Sequence, residues 1–355
     1  MISFKKENSH YCLNLCGIKI KHKNKNKLNE IKNQINYMAG MYNNFVWNNS
    51  FEYEFLKERW EKDIDKYLSK ESYLRLIKDL DDASITLIQR TLTRIKKILS
   101  SKGSPIDLFT QEEMSELYYM LHTYIKSILK ISDDVYACGK YLLPIDHFEK
   151  GIFIDKHGIN GLNCEYFKNK AIIDVGAFIG DSACILSEKT NDKVYCFEAL
   201  KENYELMLKT IEYNNFSNVI PVNYALGEDN GKAETINLYE NIANGSCCQV
   251  KPVNNDNASS DAINVITLDK FVEDNHIKVG LIKVDIEGAE QQFIKGAKET
   301  IKKQKPSLIM SIYHNPDDFF NIKTILKDLV PEYKFKVFKP TDSCAVIDTV
   351  LLCEI

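Results

Sequence analysis

The sequence predicts an α/β protein in which an α-helical N-terminal unit precedes a doubly wound, mostly parallel sheet of the Rossmann-like class. From residue 171 onward, short β-branched runs alternate with helical segments, which is typical of a parallel sheet covered by helices on both faces. Before residue 140 the apolar residues instead recur with a helical period. We therefore expect a helical accessory domain over residues 1–140 and an α/β domain over residues 141–355.

The predicted strands are short apolar runs. They cover residues 171–175, 193–199, 218–224, 280–285, 307–313, 333–338 and 348–353. The short connection between the last two favours an antiparallel strand at the sheet edge. Helices are expected at residues 202–213 and 322–329. The polar, turn-rich residues 240–262 predict a long loop, which is either a lid over a ligand or a plain surface segment.

The N-terminal region contains four predicted helices. One has apolar residues at spacings of three and four, as an amphipathic helix requires. These residues are Ile85, Ile88, Leu92, Ile95 and Leu99. A second helix begins at a capping box formed by Thr110 and Glu113. Its apolar stripe consists of Met114, Leu117, Leu121, Ile125 and Ile128. Two further helices are expected at residues 28–38 and 51–68.

Composition excludes several classes of protein. The 355 residues are 44% hydrophobic and 27% charged, with a net charge of −4, which gives no reason to expect a nucleic-acid partner. No apolar run is long enough to span a membrane, and the N-terminal stretch is too short and too polar for a signal peptide. Ten cysteines without a C-x-x-C pair predict free thiols, no metal site built from cysteine and a cytoplasmic location.

A glycine turn follows the first predicted strand. Gly176 and Gly180 enclose three residues, and Asp181 and Ser182 come directly after them. Ligands of doubly wound sheets bind at the carboxyl ends of the strands, where glycines let the backbone approach them closely. Asp174, just before the turn, is placed to face a ligand's amino group. Nicotinamide oxidoreductases use G-x-G-x-x-G, so the G-x-x-x-G spacing disfavours that class.

Polar residues also follow the second and third strands. Glu198 lies where a carboxylate accepts hydrogen bonds from both ribose hydroxyls of a nucleoside. The alternative is an acid that stabilises a helix N-terminus. Asn223, Ala225 and Leu226 lie where residues pack on an adenine ring, although an ordinary strand-to-helix turn would also fit them.

Three charged residues alternate at the end of the fourth strand. Lys283, Asp285 and Glu287 would be costly if buried and unpaired, so they indicate a functional site more than a structural ion cluster. His314 follows the next strand and is a candidate base or substrate ligand. A divalent ion held by Asp285, Glu287 and His314 is an alternative.

Together these segments resemble the FkbM family of methyltransferases. The motifs that carry the resemblance are IIDVGAFIGDS, FEA, YALG, TLD, LIKVDIEGAE and SIYH, from about Tyr141 to the C-terminus. The resemblance implies the class I methyltransferase fold, S-adenosylmethionine (AdoMet) as methyl donor, and a hydroxyl acceptor on a sugar or secondary metabolite. Many relatives carry a glutamate shortly before the histidine, where this chain has Ser311 to Tyr313. The helical N-terminal part is not shared across the family.

The resemblance also implies a set of site residues. The cofactor site comprises Asp174, Gly176, Ala177, Phe178, Gly180, Asp181, Ser182, Glu198, Ala199, Asn223, Ala225, Leu226 and Asp285. An acceptor hydroxyl needs a base, and the candidates are Asp285, Glu287 and His314. We favour His314 as the base, with Asp285 and Glu287 positioning donor and acceptor. Lys283 is an orienting cation, because an unshifted lysine is protonated at pH 7.

Other functions stay open at this point. The LCGIKI stretch resembles a segment of some bacterial surface-glycan enzymes and favours a glycan or glycan precursor as acceptor. A glycosyltransferase would need a D-x-D motif beside a strand, and none is present in the α/β domain. A catalytically inactive AdoMet-fold scaffold is a further alternative. The N-terminal helices are a candidate surface for homo-oligomer formation.

Overall fold

A seven-stranded sheet forms the centre of the molecule in the computed structural model. The structure describes residues 2–7, 10–15, 18–22, 24–27, 29–32, 47, 49–237, 248–253 and 262–355. The central strands are β1 (Ala171–Val175), β2 (Val194–Phe197), β3 (Val219–Val222), β4 (Val279–Val284), β5 (Ser307–Ser311), β6 (Lys334–Phe338) and β7 (Val350–Glu354). All seven predicted strands are therefore confirmed, and no boundary differs by more than two residues.

The strand order is β6-β7-β5-β4-β1-β2-β3. Neighbouring strands from β3 to β5 run parallel, whereas β7 is antiparallel to both β5 and β6. The last two strands thus form the predicted antiparallel pair at the sheet edge. Within that pair β6 is outermost, and β7 is the strand that runs against the rest of the sheet. This is the mostly parallel, Rossmann-like sheet that the sequence predicts.

Helices cover both faces of this sheet. In the α/β domain they are Lys150–Phe153, Cys164–Phe167, Asp181–Leu186, Lys201–Tyr213, Leu268–Asp274, Glu290–Gly296, Lys298–Gln304 and Pro316–Leu329. Successive residues of β1 belong to different hydrophobic clusters, with Ile172 on one side and Ile173 on the other. Both faces of the sheet are therefore buried, as expected for near-continuous apolar strands.

The N-terminal helices Ser50–Arg59, Ile64–Tyr67, Lys70–Ile77 and Asp82–Ser101 pack on one face of the sheet. The helix Gln111–Tyr119 instead belongs, through Leu117, to a separate cluster with Ile179 and Ile185. Leu56, Trp60 and Ile95 belong to the same buried cluster as Ile173 of β1 and Ile282 of β4. The apolar faces of these helices are therefore used inside the chain.

Several N-terminal predictions are refined by the structure. The helix around residues 85–99 and the capping box of Thr110 with Glu113 are confirmed. The segment predicted as one helix over 51–68 breaks between Arg59 and Ile64. Of residues 28–38, the structure describes 29–32, which are helical; the rest lie outside the described residues.

The second apolar stripe shifts at a π turn. A π turn at Met120–Tyr124 adds a residue to the helical period, so Met120 and Tyr124 become buried while Ile125 is exposed.

Smaller sheets appear where the sequence pattern did not indicate them. One antiparallel sheet joins Ile2–Glu7, His10–Leu15 and Ile18–His22, and another joins Leu129–Ser132, Val135–Cys138 and Tyr141–Leu143. A third sheet is mixed and contains Ala225–Leu226, Gly231–Asn237, Cys248–Val253 and Ile263–Ile266, of which the first and last run parallel.

The predicted loop at 240–262 is therefore part strand, because Cys248–Val253 pairs with Gly231–Asn237. Residues 240–247 and 254–261 lie outside the described residues. Within the described part of the chain, each helix is too short or too polar to cross a bilayer.

Candidate active site

A cavity of about 760 Å³ opens at the carboxyl ends of the central strands. One side, which we call the strand wall, is formed by residues that follow strand ends: Gly176, Phe178, Glu198, Leu226 and Asp285. The opposite side, which we call the flanking wall, combines the helix Ser50–Arg59 with the β6–β7 loop: Phe51, Phe55, Pro340, Cys344, Ile347 and Asp348. Strand ends are where doubly wound sheets bind ligands.

Gly176 presses the turn after β1 against the end of β4. Its φ is +76°, and a Cβ added there would lie 2.0 Å from the backbone oxygen of Asp285. Only glycine meets both conditions. Gly180 closes the turn in the left-handed conformation, with φ +79°, and precedes the helix Asp181–Leu186.

A buried ion pair lies beneath this turn. Lys283 Nζ is 3.1 Å from Asp174 Oδ1 and donates a hydrogen bond to the backbone oxygen of Gly176 at 2.9 Å. Burial lowers the pKa of Lys283, but Asp174 and Asp285 outweigh it and raise the pKa overall. Ser182 also donates to Asp174. Asp174 therefore anchors the turn from below. It does not line the cavity, so it is not placed to face a ligand's amino group as predicted.

Glu198 lines the cavity at the end of β2. Its Oε2 accepts from the Phe178 N–H at 2.9 Å, and its Oε1 accepts from the Leu200 N–H at 2.8 Å. Burial raises the pKa of Glu198 to about 7, although these two N–H groups act in the opposite direction. Asn223 donates to the backbone oxygen of Glu198 at 2.9 Å, so it supports the strand end and does not line the cavity.

His314 lies behind two cavity carboxylates. Its side chain is fully buried, with Nδ1 2.9 Å from Glu290 Oε1. Its Nε2 is 3.5 Å from Asp285 Oδ1 and 3.7 Å from Glu287 Oε2. Burial lowers the pKa of His314, but the carboxylates of Glu290, Glu287 and Asp285 outweigh it and raise the pKa to about 9. The imidazole is thus cationic at neutral pH and does not line the cavity, which disfavours the predicted role as base.

The same cluster offers a possible metal set. Ligand atoms of Asp285, Glu290 and His314 lie within 4.8 Å of one another. In the absence of a metal, these carboxylates favour the protonated imidazole and form an ion-pair cluster with it. A divalent ion would have to displace that proton, because a metal ligand must be an unprotonated imidazole.

Comparison with known proteins identifies the family. Residues 174–337 match the family model of the methyltransferase FkbM domain. This part of the chain is an FkbM methyltransferase domain. The resemblance predicted from the motifs is confirmed, although the match begins at Asp174 and not near Tyr141.

A relative and a solved structure agree with this family. Methyltransferase 1 of Beauveria bassiana (strain ARSEF 2860) is 23% identical over 220 residues, covering 56% of this chain and 86% of the relative. The crystal structure of a methyltransferase FkbM from Methylobacillus flagellatus KT superposes with a TM-score of 0.50 at 18% identity. That superposition covers 83% of this chain and 60% of the bacterial protein, and it shows a shared fold.

The FkbM domain places most of the predicted site residues on the cavity. Those that line it are Gly176, Phe178, Asp181, Glu198, Ala199, Ala225, Leu226, Lys283, Asp285 and Glu287. Those behind the wall are Asp174, Ala177, Gly180, Ser182, Asn223 and His314. Asp174, Ala177, Ser182 and His314 of this second group are buried.

The N-terminal unit reaches the FkbM domain through residues that the sequence analysis missed. Arg59 donates to the backbone oxygen and to Oε2 of Glu287, both at 3.1 Å. Trp60 Nε1 donates to the backbone oxygen of Tyr313 at 2.9 Å. Glu287 has a φ of +60°, a conformation that is uncommon outside glycine. Arg59 thus holds Glu287 at the cavity, and no local sequence signal marks it.

The sequence analysis also missed three titratable residues that line the cavity: His147, Glu149 and Asp348. His147 Nε2 lies 3.3 Å from Glu149 Oε1 and 3.6 Å from Asp181 Oδ2, and all three residues line the cavity. Burial and the neighbouring Asp342 and Glu149 raise the pKa of Asp348, which has a φ of +66°. These residues come from separate segments, so their proximity exists only in the folded chain.

Proposed function

We propose that this chain transfers a methyl group from AdoMet to a hydroxyl of a small-molecule or glycan acceptor. The observation that carries the proposal is the cavity between the strand wall, which belongs to an FkbM methyltransferase domain, and the flanking wall. A volume of about 760 Å³ falls within the range of about 300–1,000 Å³ typical of ligand sites. It leaves room for an acceptor on the flanking side of a nucleoside cofactor.

The strand wall has the groups that AdoMet requires. Glu198 lines the cavity with a carboxylate that the N–H groups of Phe178 and Leu200 and the side chain of Asn203 hold in place, and this carboxylate is the acceptor offered to the ribose. Tyr224 and Leu226 offer an apolar surface for the adenine, and the backbone of Gly176 and Phe178 borders the methionine part. When bound, AdoMet would supply a methyl group already activated by its sulfonium charge.

Asp285 is the proton acceptor that the geometry favours. The acceptor hydroxyl is a poor nucleophile at neutral pH, so a base must receive its proton during transfer. Asp285 lies at the end of β4, lines the cavity, and accepts a hydrogen bond from the Tyr313 hydroxyl at 3.3 Å. His314 lies directly behind it as a buried cation. We assign Asp285 as the base and His314 as the residue that orients it.

The N-terminal helices belong to the proposed acceptor side. Phe51 and Phe55 line the cavity, while the apolar faces of the same helices pack inside the chain. A role in the cavity wall therefore has more support than a role in homo-oligomer formation.

Two experiments test the function. Calorimetry with AdoMet, NAD and a nucleotide sugar tests the cofactor, and we expect binding of AdoMet alone. Release of S-adenosylhomocysteine over a panel of sugars, glycans, phenols and hydroxy acids then identifies the acceptor class. Binding of NAD in preference to AdoMet would overturn the proposal, and AdoMet binding without any transfer would favour an inactive scaffold.

The base assignment is tested with the acceptor found in that panel. Asp285→Asn should lower kcat by about 10²–10⁴ with AdoMet affinity kept. His314→Gln should lower kcat less, because it removes orientation and not the base. A chelator should leave the wild-type rate unchanged, and a loss of activity on chelation would favour a metal at Asp285 and His314.

A further inference from the structure

The loop between β6 and β7 forms much of the flanking wall. It spans residues 339–349 and supplies Pro340, Cys344, Ile347 and Asp348 to the cavity. Residues 341–348 make no backbone–backbone hydrogen bond with the described part of the chain. The shape of this wall must therefore be set by side chains that bind the loop.

Glu52 binds the loop from the N-terminal helix Ser50–Arg59. Its side chain is fully buried. Its Oε1 accepts from the N–H groups of Val346 at 2.7 Å and Ile347 at 3.2 Å. Its Oε2 accepts from the Ala345 N–H at 2.9 Å and from Trp47 Nε1 at 2.5 Å. One carboxylate thus satisfies three consecutive backbone N–H groups of the loop.

Arg94 binds the same loop from the helix Asp82–Ser101. Its guanidinium is buried and donates to the backbone oxygen of Ala345 at 3.3 Å. The group is held in place by Leu108, whose backbone oxygen accepts at 2.8 Å, and by both carboxylate oxygens of Glu113. Burial raises the pKa of Glu113, but hydrogen bonds from Arg94 and Thr110 outweigh it and lower the pKa to about 2.

Glu52 is a fully buried carboxylate on a helix that packs against the rest of the chain. An apolar side chain would pack in the helix interface without the cost of removing a charge from water. That cost is offset here by the four N–H donors, three of which belong to the loop, and by the charge of Lys339 in the same loop. Glu52 therefore has a use that an apolar residue could not supply, which is to fix the path of the loop backbone.

We propose that Glu52 and Arg94 are positioning residues that shape the acceptor side of the cavity. They act through the backbone of Ala345, Val346 and Ile347, next to the cavity residues Cys344, Ile347 and Asp348. Both residues and the loop lie outside the segment matched by the family model. The part of the inference that concerns the acceptor rests on the proposed function; the contact between helix and loop does not.

The contact is tested by hydrogen–deuterium exchange of the full chain. Glu52→Gln keeps the size of the side chain but replaces one acceptor oxygen with a donor. In peptides covering residues 340–349, we expect the amides of residues 345–347 to exchange about tenfold faster or more. Glu54→Gln, on the exposed side of the same helix, is the matched control and should leave these rates unchanged. Unchanged exchange in a folded Glu52→Gln variant would overturn the inference.

The functional arm separates positioning from general stability. AdoMet affinity of Glu52→Gln, measured by calorimetry, should stay within about twofold of wild type, because the strand wall is untouched. With the acceptor from the panel, KM should rise about fivefold or more with kcat within about twofold. A merely destabilised enzyme would lose kcat with KM kept, and that result would also overturn the inference.

A second variant guards against misfolding of the first. Arg94→Lys keeps the charge near Glu113 but removes the fork that reaches Ala345, and it should show the same local exchange and the same rise in KM. Wild type that fails to bind AdoMet would sink the proposed function, while the exchange result would still decide whether Glu52 holds the loop.

Discussion

The two walls of the cavity are built in different ways. In the strand wall, each cavity residue lies within a short segment next to a strand end, such as Gly176 after β1 or Glu198 after β2. In the flanking wall, the decisive contacts join residues nearly 300 positions apart, as between Glu52 and Val346. A fold shared by many enzymes can therefore keep its strand wall while the flanking wall is assembled from other parts of the chain.

The walls also differ in how their charges are balanced. Beneath the strand wall, Asp174 and Lys283 form a closely paired, buried contact. On the flanking side, Asp348 lies among other carboxylates, and its pKa is raised by burial, Asp342 and Glu149. The buried acid beneath the strand wall is thus paired with a cation, whereas burial and like charges dominate at Asp348 in the flanking wall.

The largest effect should come from breaking the ion pair beneath the strand wall. In Lys283→Met, Asp174 loses its cationic partner at a position that is 0% exposed, and we expect a loss of about 3–5 kcal/mol in the free energy of unfolding. Denaturant titration measures it. Lys295→Met breaks an exposed pair with Glu228 and should cost less than about 1 kcal/mol. Equal losses of free energy of unfolding in the two variants would mean that burial adds nothing to the cost of breaking the pair.

Gly176→Ala should be nearly as damaging. The added Cβ would lie 2.0 Å from the Asp285 backbone oxygen, in a residue with φ +76°. Strain and overpacking together should cost about 3 kcal/mol and abolish AdoMet binding. Gly139→Ala is the matched control, since Gly139 has φ +58° but no atom within 4 Å of the added Cβ. If Gly139→Ala loses as much free energy of unfolding as Gly176→Ala, the effect comes from the positive φ alone.

Glu198→Ala tests the cofactor assignment of the strand wall. Ribose hydroxyls would lose their acceptor, so AdoMet affinity should fall by about 1–3 kcal/mol, measured by calorimetry on the folded variant. Glu202→Ala removes an exposed carboxylate one turn away and should leave the affinity unchanged. Wild-type affinity in Glu198→Ala would show that the nucleoside binds elsewhere.

The smallest expected effect is a pH dependence that originates at His314. Its folded pKa of about 9 lies above the ordinary value of 6.5, so its contribution to stability is complete below about pH 6.5 and is lost as pH rises through about 9. Between pH 7 and 9, the free energy of unfolding should fall by about 1–2 kcal/mol. His314→Gln should flatten this part of the profile. An identical slope in both proteins would place the titration at another group.

Local patterns explain which parts of the fold could be predicted. The strands were found because buried parallel strands are nearly continuous apolar runs, and the helix at Gln111 was found because its capping box uses residues three apart. The apolar stripe predicted from Met114 to Ile128 is wrong at Ile125, because a π turn changes the helical period there. No residue type in the sequence predicts such a turn. The strands Leu129–Ser132 and Val135–Cys138 were missed, since they are short and largely unburied.

The sequence by itself determined the class of sheet, the glycine turn, Glu198 and the charged end of β4, because each depends on residues close together in the chain. Tertiary structure alone decided that Asp174 and His314 lie behind the cavity, that Arg59 holds Glu287, and that Glu52 holds the β6–β7 loop. Burial and neighbouring charges set the protonation of His314, and both arise from segments that meet only on folding. For that reason the strand wall could be anticipated from motifs, whereas the flanking wall required the folded chain.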